Sequence, residues 1–114
     1  MEMKELISSY DEVNDTFVAK ISDEDGYYAN YDIADGIFLN IDKNSFPVSV
    51  HINNASDVLD VEKRILKDPN VSILIECRRD KVCFRLSISN RKIFSGKSSN
   101  IFGIPEISYE IKAN

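Results

Sequence analysis

The chain has 114 residues, of which 43% are hydrophobic and 29% charged, with 4 Gly, 3 Pro and no Trp. This length suits one domain spanning residues 1–114, with a core that needs no disulfide or metal staple. The composition excludes wholesale disorder, and no apolar run reaches the roughly 20 residues of a membrane span.

The net charge of −5 is unevenly divided. Residues 1–57 hold 3 Lys against 12 Asp and Glu, and residues 58–114 hold 11 Lys and Arg against 7 Asp and Glu. The opening Met1-Glu2-Met3-Lys4-Glu5 has neither the basic region nor the apolar stretch of a signal peptide. The expectation is a soluble, cytoplasmic protein with no membrane association.

A strand is expected near residues 4–10. From residue 16 onward the dominant pattern is alternation, the mark of antiparallel strands with one buried and one wet face. Phe17, Ala19 and Ile21 form one apolar row. The turn Asp23-Glu24-Asp25-Gly26 is expected to join them to Tyr27, Ala29, Tyr31 and Ile33. A loop, Ala34-Asp35-Gly36 with Gly36 left-handed, leads to Ile37, Leu39 and Ile41. The loop Lys43-Asn44-Ser45-Phe46 leads to Val48, Val50 and Ile52. Pairing Ile41 with Val48, Leu39 with Val50 and Ile37 with Ile52 keeps one register and one face. Residues 16–53 therefore read as a four-strand meander.

Residues 56–67 read as a helix. Ser56 suits its N-cap, Asp57, Asp60 and Glu62 its positive end, and Lys63, Arg64 and Lys67 its negative end. Val58, Leu59, Val61, Ile65 and Leu66 make an apolar stripe that should cover the meander, and Asp68-Pro69-Asn70 stops it. Strands follow at 71–78, 81–89, 92–96 and 106–113. Cys77 is expected to pair with Val82, Ile75 with Phe84 and Ile73 with Leu86. The stretch 97–105 reads as a loop anchored by Ile101, Phe102 and Ile104. The fold class is α+β: an antiparallel, meander-rich sheet of about eight or nine strands, with the helix over 56–67 on its apolar face. Such a sheet either curls toward a barrel or splits in two.

Tyr10, Asp11 and Asp15, followed by Thr16-Phe17-Val18, form one recognisable pattern. The Asp35-Gly36 turn into residues 37–42, and the strand ending in Asn54-Ala55-Ser56, form two more. Over residues 4–57 the chain resembles the domain of unknown function 2283 family of small prokaryotic proteins; residues 58–114 lie outside the resemblance. The resemblance implies a fold and a prokaryotic or archaeal setting, but no reaction. Some members look like partners of small toxin genes, which implies an interaction role.

Catalytic groups are sparse. His51 is the only histidine and sits on a wet strand face, with Asp42 and Asp32 as carboxylates it could use; an exposed strand histidine is the simpler reading. Cys77 falls on the apolar face and Cys83 on the other, so they do not pair; Cys83 near Arg85 has the setting of a reactive thiol. Ser95-Gly96-Lys97-Ser98 lacks the glycine a phosphate loop requires, since that position is Arg91. Asp23-Glu24-Asp25-Gly26 lacks the downstream ligands of a calcium loop and reads as a hydrated turn. Asn54-Ala55-Ser56 fits a glycosylation sequon, but Ser56 is better used as a cap. No catalytic residue, cofactor or metal ligand is assigned.

The remaining signal is basic. Arg78, Arg79, Lys81, Arg85, Arg91, Lys92 and Lys97 fall on two neighbouring turns and one wet strand face, with Phe94 nearby for stacking. The leading expectation is a non-enzymatic interaction or regulatory module, working as a homodimer or with a small protein partner. The alternative is a nucleic-acid-binding accessory protein, which a pI of about 4.8 disfavours because long-range attraction to phosphate would be weak.

Overall fold

A computed structural model describes residues 2–22, 29–34, 36–68, 70–101 and 103–113. Nine strands lie in chain order: β1 (Glu2–Asp11), β2 (Thr16–Ile21), β3 (Ala29–Ala34), β4 (Ile37–Ile41), β5 (Pro47–Ile52), β6 (Val71–Cys77), β7 (Lys81–Ile88), β8 (Arg91–Ser99) and β9 (Ile107–Ala113). Two short helices, α1 (Ala55–Leu59) and α2 (Lys63–Leu66), lie between β5 and β6. No helix among the described residues is long and apolar enough to cross a membrane.

All nine strands belong to one sheet, ordered β3-β4-β5-β2-β1-β9-β6-β7-β8. The sheet curls until its edge strands, β3 and β8, approach each other, giving a nearly closed barrel-like form. Past the end of β8, the Ile101 amide donates to the Tyr31 hydroxyl on β3 across this gap (3.1 Å). Alternation drives the curl. Val71, Ile73, Ile75 and Cys77 face inward from β6, and Val82, Phe84, Leu86 and Ile88 do so from β7. They meet Phe17, Ala19, Ile37, Leu39, Val50 and Ile52 from the other half in one core.

The connectivity corrects the expected meander. β2 pairs with β1 and β5, and does not pair with β3. Within the expected meander only β3, β4 and β5 are consecutive neighbours; β2 lies beside β5, so strands β2 to β5 form a Greek key with its long connection first. The expected 23–26 turn lies outside the described residues. Strands β6 to β9 form a second Greek key, in which β9 returns to lie beside β6. The halves join through β1 and β9, which run parallel (Glu2 opposite Tyr109, Leu6 opposite Ala113), so the sheet is mixed rather than purely antiparallel.

The local registers stand closer to expectation. The β6–β7 pairing of Cys77 with Val82, Ile75 with Phe84 and Ile73 with Leu86 is as the alternation requires. In β4–β5, Ile37–Ile52 and Leu39–Val50 hold, but a bulge sets Ile41 opposite Pro47. In β3–β4, Ala29 lies opposite Ile41 and Tyr31 opposite Leu39, and a shift after Asp32 sets Ala34 opposite Ile37. Strand β8 is longer than expected and takes in 97–99; of the three loop anchors, Ile104 is buried, Ile101 is exposed, and Phe102 lies outside the described residues.

The single helix over 56–67 is replaced by two short ones. Asp60 takes a left-handed backbone (φ 54°) at the end of α1, which breaks the helical path. The N-cap is Asn54, also left-handed, and Ser56 does not cap. Together the helices close one end of the barrel. Ala55, Leu59 and Leu66 enter the core, each leucine worth about 2 kcal/mol of apolar burial. Lys63 donates to the Glu12 carbonyl (3.0 Å), and Lys67 pairs with the Glu12 carboxylate. Part of the charge division between the two halves is thus consumed inside the fold.

Candidate functional site

The strongest surface feature lies on the outer face of the second Greek key. Strand alternation sends Ser72, Leu74 and Glu76 outward from β6, and Cys83, Arg85 and Ser87 outward from β7. Cross-strand pairing sets them in rows. Glu76 stands opposite Cys83, which stands opposite Lys97 on β8. In the next row Glu110 of β9, Leu74, Arg85 and Ser95 lie side by side. In the third, Lys112, Ser72, Ser87 and Lys92 do so.

Three hollows run along these rows. The first, about 240 Å³, is lined by Leu74, Glu76, Cys83, Arg85 and Lys97 among others. The second, about 200 Å³, shares Leu74 and Arg85 with it. The third, about 240 Å³, shares Ser72, Ser87 and Glu110 with the second and reaches Asn70, Asn90 and Lys112. Together they make one trough, because the waisted surface of a twisted barrel is concave along its strands. From Cys83 to Asn90 it runs roughly 20 Å at the strand rise, the reach of an extended segment of about six residues.

Its two walls differ in charge. On the β7–β8 side stand Arg85, Lys97 and Lys92, which have no ion-pair partner among the described residues. On the β6–β9 side stand Glu76 and Glu110, which pair with the Arg78 guanidinium (3.2 Å) and the Lys112 ammonium (3.0 Å). Leu74 gives the floor an apolar, partly buried centre.

The basic set named from the sequence is therefore only partly brought together. Arg85 and Lys97 share the trough. Lys92 stands at its far end, across from Ser87. Arg78, Arg79 and Lys81 lie exposed at the β6–β7 turn, and Arg91 at the β7–β8 turn, a strand length of roughly 23 Å away. Phe94 is not on this face. It sits opposite Leu86, leans on the Phe84 ring (centroids 6.1 Å apart) and packs against the core, so it offers no stacking surface beside the basic residues. Gly96 leaves the room this needs, since a Cβ there would come within 3.1 Å of the Phe94 ring. The acidic wall is what the sequence reading missed. Glu110 arrives through the β6–β9 pairing, which no local pattern signals.

The other candidates are separated. His51 Nε2 bonds Asn53 Oδ1 (2.9 Å). The Asp42 carboxylate instead accepts from the Asn44 and Phe46 amides (2.8 and 3.0 Å) and shapes the β4–β5 turn. Cys77 is buried and Cys83 half-buried, both as free thiols. Burial pushes the Cys77 thiol up to about 12. Ser95 to Ser98 lie within strand β8, without a phosphate-loop turn. Among the described residues no cluster of three or more His, Cys, Asp or Glu side chains could hold a metal ion.

A hydrogen-bond cluster joins the first half's turn to α1. The Tyr10 hydroxyl donates to Asp15 Oδ1 (2.6 Å), and the Ser56 amide and hydroxyl also donate to Asp15 (3.0 and 2.6 Å). Burial alone would raise the Asp15 carboxyl, but the Ser56 and Tyr10 hydrogen bonds outweigh it and hold it below its ordinary value. Burial, then the Asp15 carboxylate, push the Tyr10 phenol upward. These are among the residues on which the family resemblance rests, and here they act as a structural tie between segments 41 residues apart.

No family model matches this chain, and no curated protein or solved structure matches it significantly.

Proposed function

We propose that the protein is a non-enzymatic protein-interaction module whose outer trough seats an extended, acid-bearing segment of a small partner protein. The observation that carries this is Arg85, exposed at the middle of the trough and shared by two of its hollows, with Lys97 beside it and carboxylates across from it. A wall of each sign, with Leu74 between, suits a polypeptide, which offers side chains of both charges and an apolar stem. It suits a nucleic-acid backbone poorly, because Glu76 and Glu110 neutralise Arg78 and Lys112 and leave that wall without net positive charge for successive phosphates.

Docking of a second copy is the weaker version of the same idea. Several acidic groups of the first half are already engaged at home: Glu12 by Lys67, Asp15 by Ser56, Asp11 by Asn14. The barrel's outward residues include Lys20, Asp32, Arg85 and Glu110, opposite to the apolar belt of a lipid-facing barrel, which supports a non-membrane role. The resemblance over residues 4–57 adds a prokaryotic setting and a partner of toxin type.

A displayed library of random decapeptides tests this. Selection is expected to enrich carboxylate-bearing peptides that bind more weakly as salt rises from about 50 to 500 mM, where exposed charges are screened. Arg85→Glu with Lys97→Glu is expected to abolish their binding. A dimer in light scattering that dissociates in high salt would replace the partner by a second copy. No enrichment, together with RNA or DNA binding at about 50 mM salt, would overturn the reading in favour of nucleic acid.

A further inference from the structure

The outer face of the first Greek key carries a separate hollow of about 240 Å³, lined by Asn30, Phe38, Asn40, His51 and Asn53. Its placement follows from the register: Phe38 stands opposite His51, and Asn40 stands between Asn30 and Ser49. Asn40 is the one buried polar side chain among the described residues, only 6% exposed. Its amide is oriented by donation to the Ser49 hydroxyl (2.7 Å). Strand positions facing water do not ordinarily bury an asparagine, so this wall is built around a fixed amide.

The chemistry of the lining is specific. The lining holds three amides, each with donor and acceptor groups; one Asn40 hydrogen is engaged by Ser49 and one lone pair of the Asn53 oxygen by His51. The Asn53 oxygen can only accept; when the neutral His51 ring donates to it from Nε2, Nδ1 is left as an acceptor. Phe38 adds a half-buried aromatic ring. No lining residue carries a formal charge. Hydroxyl groups, each both donor and acceptor, answer amides in either orientation, and the C–H face of a pyranose ring fits an aromatic edge. A phosphorylated ligand would find no cation in the hollow. We infer that this hollow is a binding site for a neutral saccharide, independent of the trough on the other half.

The test is titration of the ¹⁵N-labelled protein with maltose, cellobiose and N,N′-diacetylchitobiose, following the side-chain amides of Asn30 and Asn53 and the His51 ring. Saturable shifts of these groups with at least one disaccharide are expected. Asn30→Ala, at an exposed position, and His51→Ala are each expected to weaken binding about tenfold or more. Arg85→Glu should leave it unchanged. No saturable shift with any of the three up to about 20 mM, a Kd beyond any specific site of this kind, overturns the inference. So does saturable binding of uridine without any disaccharide, which would make the hollow a nucleobase site.

Discussion

The two cysteines show how far one residue's setting decides its chemistry. They are six positions apart in neighbouring strands, yet Cys77 points into the core and Cys83 lines the trough. Only a thiolate attacks a disulfide reagent, and burial holds the Cys77 thiol near pH 12. Native protein treated with Ellman's reagent is therefore expected to release one equivalent of thiolate promptly and a second only after unfolding. Two prompt equivalents would mean that the end of β6 opens readily. That the two thiols fall on opposite faces was legible from alternation alone. That Cys83 stands between Glu76 and Lys97 required knowing the partners on both sides of β7.

At the scale of elements, Gly36 shows why the helices lie where they do. Its backbone is left-handed (φ 83°), as its turn requires, and a Cβ there would come within 2.9 Å of Val58 and 3.2 Å of the Asn53 carbonyl. Gly36→Ala therefore adds backbone strain to a collision with α1. The expected loss is about 2 kcal/mol, read as a lower midpoint in urea unfolding. No change would mean that α1 rides loosely on the hairpin. Turn chemistry of this kind was visible in the sequence, as were the β6–β7 register and most of β3–β4–β5, because each depends on neighbours along the chain. The long helix was not. Its charge pattern satisfied the dipole rule, but nothing local marked Asp60 as the left-handed residue that ends α1. The placement of β2 was not legible either. An apolar row of Phe17, Ala19 and Ile21 suits β3 and β5 equally, and only the closing of the barrel chooses between them.

At the scale of the whole molecule, the carboxylates set the acid limit of stability. The hydrogen-bonded or paired carboxylates of Asp11, Glu12, Asp15 and Asp68 are all held below their ordinary values. Depressed groups stabilise the fold above the unfolded carboxylate range, about pH 4, and lose that contribution as pH falls through their folded values. Tyr10 is raised, so its contribution is present below about pH 10 and fades above it. Thermal unfolding is expected to be level between about pH 5 and 9 and to fall on both sides. Asp15→Asn keeps the left-handed backbone of residue 15 (φ 54°), which asparagine tolerates, but removes the charge and replaces one of two accepting oxygens by an NH2 donor. It should lower stability at pH 7 by about 1–3 kcal/mol and flatten both limbs. A variant with an unchanged pH profile would show that the tie to Ser56 does not depend on ionisation.

The parallel pairing of β1 with β9 bears on how the chain is made. Apart from β1 and β9, every strand finds its partners within its own half, so a growing chain on the ribosome can assemble each Greek key soon after its strands emerge. One edge of β1 waits for residues 109–113 of β9, which are made after the other eight strands. Until they arrive, β1 and β6 each present an unpaired edge, the condition in which nascent strands most readily join those of another copy. The hazardous interval of biosynthesis therefore lasts until β9 emerges, and a pause just before β9 would be more damaging than one at the helices between the halves.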